Sequence, residues 1–498
     1  MLAGSKSSIG SGTEPNTTVS SGARYLQRLN DGRKVWLDGK LVQHIANHPA
    51  FRGTIKSVAG ILDLQDEPEL APHLVFETET GAHANMAFLI PEQKEDVFRR
   101  SRAFKIWSDA TFGVMSRVGG TYRGQVAGLY IGRELLQSED PDYSDKIVNY
   151  YRYVRDHDLL VTSAGHDPQI DRTKLSSELG GLYTALRIVR ETEDGIIVRG
   201  AKMLATGSPY MDEIIVSPLV KKTAEEKQYA LLLMVAVNTP GLHLICRESF
   251  ASEEEENHPL SSRFDEMDAV LVFDDALIPW ERVLVKEDPE LLWKVRSTAV
   301  GGGLGLHKSI VRLVSKLEFV AAVGNELADS IGIKKFAHVK EKLAELFYQL
   351  ESIKALLLTA EHGAKLDPSG VWLPDSGLMA TAKNLGNRYY PRAIEILQQL
   401  SGAGLLQAPS TLAEFRGPLG TQLQAYYRGA DRGAEERVKL LKLAWELVGS
   451  QLGARHELYE RYYAGDPIRT YARQYVDYNK QPHFDKVQEY LLGSTYHQ

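Results

Sequence analysis

The sequence predicts an α+β protein whose regular structure runs in three stages: helical, then β, then a helical bundle. Two observations carry that order. Short β-branched and apolar runs, broken by Gly, Pro and Asp at strand spacing, crowd the middle third, and an apolar period near 3.6 dominates on either side. A chain of 498 residues is also too long for one core, so the stages read as domains. The expected divisions are a disordered lead-in at 1–23, a helical N-terminal domain at 24–156, a β domain at 157–285 and a C-terminal helical bundle with a tail at 286–498.

Taken in order, MLAGSKSSIGSGTEPNTTVSSG is rich in Ser, Gly and Thr and lacks the apolar segment of a signal peptide, which leaves a lead-in. RYLQRLNDGRKVWLDGKLV opens with a short amphipathic turn and carries two Asp-Gly pairs, a hairpin signal. In PEQKEDVFRRSRAFKIWSDATFGVMSR, Val97, Phe104, Trp107 and Phe112 recur at roughly helical intervals, and YSDKIVNYYRYVRDHDLL predicts a second helix. The strands come next: RIVRETEDGIIVRGAKMLATGS, EIIVSPLV, YALLLMVAV, GLHLICR and AVLVFDDALIPWERVLV. Prolines in TPGLHLICR and DALIPWERVLV suit edges or bends rather than a central ladder. From about residue 290 the helical period returns. Leu343, Leu346, Phe347, Leu350, Ile353 and Leu357 form one stripe, and Val438, Leu441, Trp445, Val448 and Leu452 form another, as in an antiparallel bundle.

The formal charge of −7 offers no basic footprint, so nucleic acid is not the expected partner. The only cysteine, Cys246, excludes an internal disulfide, an iron–sulfur ligand set and a zinc ribbon, and predicts a cytoplasmic enzyme. The longest apolar run, ALLLMVAV (230–237), falls short of the ~18 residues that a membrane helix requires, so no membrane association is expected.

Several motifs attract chemistry and lose it on inspection. VGGGLGLHKS (300–309) mimics a phosphate-cradling loop, but no Gly directly precedes Lys308 and the GxGxxG spacing is missing. It reads as a flexible or closely packed helix start, which leaves the chain without a recognisable NAD(P)H site. Four consecutive Glu in SEEEEN (252–257) cannot all face one ion and no His pair at ligand spacing accompanies them, so no metal is expected. Arg263, Asp265, Glu266 and Asp268 lead into a strand and predict an ion-pair cluster that fixes a loop. TSAGHDPQIDR (162–172) packs a His, two Asp, a Gln and an Arg around one proline, which first suggests His166 as a catalyst or ligand.

Four stretches carry a resemblance. DPQIDR, GIIVRGAKMLATGS, PLSSRFDEMDAVLVFDDALIPWERVLV and LVGSQLGARHELYERYYAG resemble, in the same order, segments of the large component of 4-hydroxyphenylacetate 3-monooxygenases. That family of reduced-flavin-dependent aromatic hydroxylases also takes in chlorophenol and nitrophenol monooxygenases. The similarity runs from about Tyr25 to beyond Gly465. It implies an acyl-CoA-dehydrogenase-like fold: a helical N-terminal domain, a β-barrel-like middle domain and a C-terminal four-helix bundle, assembled as a homo-oligomer, tetramer or dimer.

The resemblance also implies a site. The segment matching DPQIDR lines the flavin, which makes Gln169, Ile170, Asp171 and Arg172 cofactor residues, Arg172 supplying charge to the pyrimidine side or a phosphate. The ATGS strand end brings Thr206 to the ring, with Ser208 as its neighbour, and the GARHELYE segment brings Gly453, Arg455 and His456. The substrate pocket departs from the family pattern. SRVGGTYRG (116–124) keeps Arg117, but an ungapped match puts Thr121 at the family's Tyr position and leaves Tyr122 one step off. The family's substrate-binding His falls at Ser163, and His166 has no family role. The loop VKKTAEEKQ (220–228) matches a variable lid over the substrate, and its lysines are expected in solvent.

The activity implied is that of the oxygenase component of a two-component monooxygenase. A separate NAD(P)H:flavin reductase supplies FAD as FADH2, O2 is the co-substrate, and a flavin C4a-hydroperoxide hydroxylates an electron-rich aromatic ring, most simply a phenol, free or carrier-tethered. Arg117 and Thr206 are the expected catalytic pair, Arg117 ionising the phenol and Thr206 orienting the flavin adduct. Tyr122, His166 or water stand in for the base that Ser163 no longer provides. Two other readings stay open. A CoA-thioester dehydratase or dehydrogenase relative would share the fold, but the dehydratases need cluster cysteines that this chain lacks. A non-catalytic flavin-binding homologue would fit the altered pocket.

Overall fold

The computed structural model describes residues 19–136, 141–171, 173–179, 181, 184–463 and 465–491. Residues 1–18 of the expected lead-in lie outside them. Its last residues are helical: α1 (Ser21–Arg28) starts where the Ser20 hydroxyl accepts the Ala23 amide. The second Asp-Gly pair turns β1 (Lys34–Leu37) back into β2 (Lys40–Leu41), with positive φ at both Asp38 and Gly39, as a type I′ turn requires. There follow α2 (Pro49–Asp63), α3 (Ala71–Leu74), the hairpin β3 (Val75–Glu77) and β4 (His83–Asn85), α4 (Lys94–Asp109), α5 (Thr121–Ile131), α6 (Arg133–Leu136) and α7 (Pro141–Asp156).

The middle of the chain contributes β5 (Val161–Ala164), β6 (Arg187–Glu191), β7 (Gly195–Thr206), β8 (Glu213–Val216), β9 (Leu231–Ala236), β10 (Leu242–Cys246), α8 (Ser261–Phe264), β11 (Asp268–Pro279) and β12 (Val283–Lys286). They form two open sheets, ordered β2-β1-β10-β11-β7-β6 and β12-β9-β8-β5. The resemblance implied a barrel-like middle; among the described residues no barrel closes. The larger sheet recruits β1, which pairs in parallel with β10, so the N-terminal segment is not purely helical. Strands β10 and β11 are interior, against the expectation of edges. Pro240 stands before β10 and Pro279 ends β11 where the chain bends into the other sheet, so each proline marks a strand end.

The rest is helical: α9 (Pro289–Ser297), α10 (Ala299–Ser330), α11 (Ala337–His362), a small hairpin β13 (Lys365–Leu366) and β14 (Trp372–Leu373), α12 (Ser376–Ser401), α13 (Gly420–Tyr426), α14 (Ala434–Val448), α15 (Gln451–Tyr462), α16 (Pro467–Asp477) and α17 (Gln481–Leu491). Helix α10 is the spine. It packs on α4, α5, α11, α12 and α14. VGGGLGLHKS forms its first turns, and the packing is close: a Cβ on Gly305 would stand 3.1 Å from the Thr121 carbonyl oxygen. The apolar stripe of α11 is narrower than its spacing implied. Leu343, Leu346, Leu350 and Ile353 are buried, whereas Phe347 is 46% exposed because it faces away from α10 and α12. No described helix is long and apolar enough to cross a membrane.

Candidate active site

The site is built where the α4–α5 connection, the end of β7, the head of β11 and the helices α10 and α15 meet. Its backbone frame is a clamp on one peptide. Glu266 is fully buried, and its carboxylate accepts the Ser116 amide (2.7 Å), the Ser116 hydroxyl (2.6 Å) and the Arg117 amide (2.7 Å). From the other side, Lys308 Nζ donates to the Ser116 carbonyl at 2.8 Å. The Arg117 guanidinium lies 5.0 Å from the Tyr122 ring centroid and 5.5 Å from that of Tyr459. Burial works against its charge, but Tyr122, Tyr459, Glu266 and Asp268 outweigh burial and raise its pKa. No carboxylate among the described residues touches the guanidinium, and Nε has no partner. Arg117 is therefore a cation held in place, its charge supported from a distance by Glu266 and Asp268, with no carboxylate of the described residues in contact with the guanidinium.

A stripe on α10 supports this frame. Lys308, Arg312 and Lys316 recur every fourth residue and so share one face, all buried. On α15, His456 and Glu460 share a face by the same spacing. Arg312 grips Glu460 with two hydrogen bonds of 2.7 and 2.8 Å, and Lys316 reaches the same carboxylate at 2.9 Å. These two cations outweigh burial and hold Glu460 down at about 2. Lys316 also meets His456 Nδ1 at 3.2 Å, so the ring proton sits on Nε2, which has no partner. Burial and the Lys316 charge keep His456 neutral. Among the described residues no carboxylate pairs with Lys308, and burial with Arg312 beside it lowers its pKa to about 7.

Asp268, the first residue of β11, is the second hub. It accepts the Thr206 hydroxyl at 2.6 Å, Arg455 at 2.6 and 2.9 Å, and Arg247 at 3.0 Å. The ion-pair cluster expected in PLSSRFDEMD forms around Asp265 and Asp268, but its cations are Arg247 and Arg455 rather than the expected Arg263, and it reaches into the site. Arg455 Nη1 is buried without a partner. After Thr206 the chain turns at Gly207 (φ +76°), a left-handed position that glycine allows, and a Cβ there would lie 3.7 Å from that of Arg117. Ser208 is buried and donates to the Ala205 carbonyl at 2.9 Å. Gly453 earns its place through packing on its own chain: a Cβ would fall 2.6 Å from the Leu447 carbonyl oxygen. Thr121 begins α5, and its carbonyl faces Gly305.

Ser163 lies on β5 opposite Ile215 of β8 and is half-buried. His166 forms a backbone bridge to Met203, its carbonyl accepting the Met203 amide at 2.8 Å. Gln169 and Ile170 are exposed, and Asp171 caps its own turn by accepting the Thr173 amide and hydroxyl at 3.0 and 2.7 Å. Arg172 lies outside the described residues. Ile170, Leu204, Leu219 and Val220 present apolar side chains to the outside near this rim. The loop lysines correct the sequence reading. Lys221 does pair at the surface with Glu290, but Lys222 is buried against Asp167 (2.8 Å), which also holds Lys202 at 2.5 Å. Asp167, conspicuous beside His166, is what draws Lys222 in.

Against the family models, residues 21–285 match the 4-hydroxyphenylacetate 3-hydroxylase N-terminal domain and residues 303–491 its C-terminal domain. The chain belongs to that family. It is 39% identical over 478 residues to a 4-hydroxyphenylacetate 3-monooxygenase oxygenase component from Thermus thermophilus, covering 95% of this chain and 98% of the relative. The crystal structure of an oxygenase component of 4-hydroxyphenylacetate 3-monooxygenase, complexed with FAD and 4-hydroxyphenylacetate, superposes with a TM-score of 0.91 at 37% identity, over 96% of this chain and 99% of that one. An archaeal 4-hydroxybutyryl-CoA dehydratase from N. maritimus shares the fold alone, at 23% identity and a TM-score of 0.84 over 96% of both chains. Membership of this family makes the chain a helix-rich α+β protein of acyl-CoA-dehydrogenase type.

Sequence reading missed the basic stripe of α10, Tyr459 under Arg117, and the pairing of Arg296 with Ser217. The stripe had a signal: in LHKSIVRLVSKLEFV, cations recur every fourth residue inside an otherwise apolar helix, which marks a buried charged seam.

Proposed function

We propose that this chain is the oxygenase component of a two-component, FADH2-dependent monooxygenase that hydroxylates a phenol. The observation that carries the reading is Arg117: a cation without a carboxylate, stacked on Tyr122 and Tyr459 and fixed through its own backbone by Glu266. A phenol ionises near pH 10 in water, and a guanidinium a few ångströms away favours the phenolate by roughly one to three pH units. The resulting anion pairs directly with the Arg117 guanidinium and is a better nucleophile than the neutral ring.

The chain's residues fit a flavin. The unpartnered donors Arg455 Nη1 and His456 Nε2 suit an acceptor-rich group, and the apolar rim of Ile170, Leu204, Leu219 and Val220 suits a flat ring that must be kept from water. Thr206, Gln169, Ile170, Asp171, Arg172, Ser208 and Gly453 complete the proposed cofactor surface, and Thr121, Tyr122 and Ser163 line the substrate side. When bound, reduced FAD supplies two electrons and activates O2, so that one oxygen atom enters the ring beside the phenol and the other leaves as water. A separate flavin reductase, assembly into tetramers or dimers, and a division of the chain near residues 156 and 285 into two helical parts around a β part belong to the same proposal.

The test supplies purified protein with a generic flavin reductase, NADH and 18O2 and screens simple phenols. A catechol carrying one 18O supports the reading. Hydrogen peroxide as the sole product with every phenol, despite tight binding of reduced FAD, would leave the non-catalytic flavin-binding reading in its place.

A further inference from the structure

Arg296 stands near the C-terminal end of α9, and one of its guanidinium nitrogens donates to the Ser217 hydroxyl. No carboxylate pairs with it among the described residues. Lys202, whose charge Arg296 disfavours, already pairs with Asp167 at 2.5 Å, and Lys222 holds the same carboxylate at 2.8 Å. Burial lowers the Arg296 pKa, and among the described residues the Tyr122 phenol is the group that supports its charge.

Strand geometry places this cation. Val216 pairs with Ala164, and the Ser217 amide donates to the Ala164 carbonyl at 3.3 Å, so the β8–β5 register runs on one residue further. Side chains alternate along a strand, which puts Ser163, Ile215 and Ser217 on one face. Ile215 and Val295, the neighbour of Arg296, lie in one apolar cluster, and Tyr122 packs against it. Arg117 stands over that same tyrosine at 5.0 Å. Arg117 in contact with Tyr122, and Arg296 through its electrostatic influence, thus both act on this tyrosine, and among the described residues no carboxylate pairs with either guanidinium. Burial disfavours the Arg296 charge, whereas Glu266 and Asp268 support that of Arg117, so it is at Arg296 that an incoming carboxylate would remove a cost.

We propose that Arg296, oriented by Ser217, is a specificity-determining residue that receives a carboxylate on the phenolic substrate, at the end of the ring opposite the hydroxyl held by Arg117. The inference rests on the phenol-binding reading of Arg117. It also accounts for an altered pocket: the change from His to Ser at residue 163 leaves room beside a cation that can anchor the far end of the substrate.

The experiment measures binding of 4-hydroxyphenylacetate and of uncharged p-cresol by anaerobic calorimetry with reduced FAD, and turnover of both with a generic reductase. The proteins are the wild type, Arg296→Met and Arg296→Lys. Wild type binds the acid more tightly than the cresol. Arg296→Met weakens the acid by about 30-fold or more and the cresol by less than about twofold, and Arg296→Lys recovers most of the loss. Equal weakening of both ligands, or a wild type without preference for the acid, overturns the assignment. If the binding pattern appears but no catechol forms, the assignment stands and the hydroxylase reading fails.

Discussion

The Thr206 hydroxyl gives its only proton to Asp268, 2.6 Å away, while two hydrogen bonds from Arg455 and one from Arg247 hold that carboxylate ionised. Its pKa lies far below the usual carboxylate range because these cations outweigh burial. Thr206 can then only accept a further hydrogen bond at its oxygen. Reduced flavin carries an N–H at N5 where oxidised flavin carries a lone pair, so with Thr206 at the ring edge as proposed, the arrangement would favour the reduced cofactor. Thr206→Val is expected to weaken FADH2 binding about fivefold to tenfold and FAD binding less, measured by anaerobic and aerobic titration. Equal loss for both forms would remove Thr206 from the ring edge.

Arg117 is predicted to act on the ionisation of the phenol. In Arg117→Met the pKa of bound 4-nitrophenol rises by about 1–2 pH units, read from its phenolate absorbance, and Arg117→Lys retains part of the effect. The Glu266 clamp holds the backbone of residue 117, so the fold survives the exchange. An unchanged bound pKa would assign the phenol to another cation.

Lys308 gives stability a pH dependence of known sign. Its pKa falls from 10.5 to about 7 on folding. The unfolded chain therefore binds a proton between pH 7 and 10.5 that the folded chain does not. The cost is present in full below about pH 7 and fades as pH rises toward 10.5. Lys308→Met removes it, so the variant's melting temperature should exceed that of the wild type most at pH 6 and least at pH 10. A constant difference across that range would mean that the buried amine stays protonated throughout.

Glu460 holds two buried cations, so Glu460→Gln leaves Arg312 and Lys316 without a counter-ion. The expected loss is about 3–5 kcal/mol in denaturant unfolding. The depressed carboxylate contributes its stability above pH 4.5 and loses it as pH falls toward about 2, so the wild type and the variant converge in acid. A loss below about 1 kcal/mol would mean that water reaches the cluster.

Much of this was legible in the chain. Strand runs such as EIIVSPLV and YALLLMVAV became β8 and β9 because β-branched and apolar side chains fit a sheet buried on both faces. Asp38-Gly39 announced its turn because few residue pairs tolerate two positive φ values. The motif resemblance located Arg117, Thr206 and Arg455, and the structure brings all three to one seam. What escaped was long-range. Nothing near Lys222 says that Asp167 will bury it, and the interior positions of β10 and β11 depend on partners far along the chain. Nor does anything near Gly453 announce that the Leu447 carbonyl, from the preceding helix, will lie where its Cβ would stand. The α10 stripe was hidden by its Gly-rich start, which invited comparison with phosphate loops rather than a count of cations per turn.

The parallel pairing of β1 with β10 sets an order on how the protein is made. The Trp36 indole, whose Nε1 donates to His243 Nδ1 across this pairing, is separated from it by 207 positions. A ribosome therefore exposes the first strand long before its mate exists, and β1 and β2 must wait as an unpaired edge that invites wrong association. Nascent chains arrested before residue 242 should be chaperone-dependent and protease-sensitive in their first fifty residues, and chains arrested well past β11 should not. The N-terminal helices acquire their anchor only when the middle of the protein arrives.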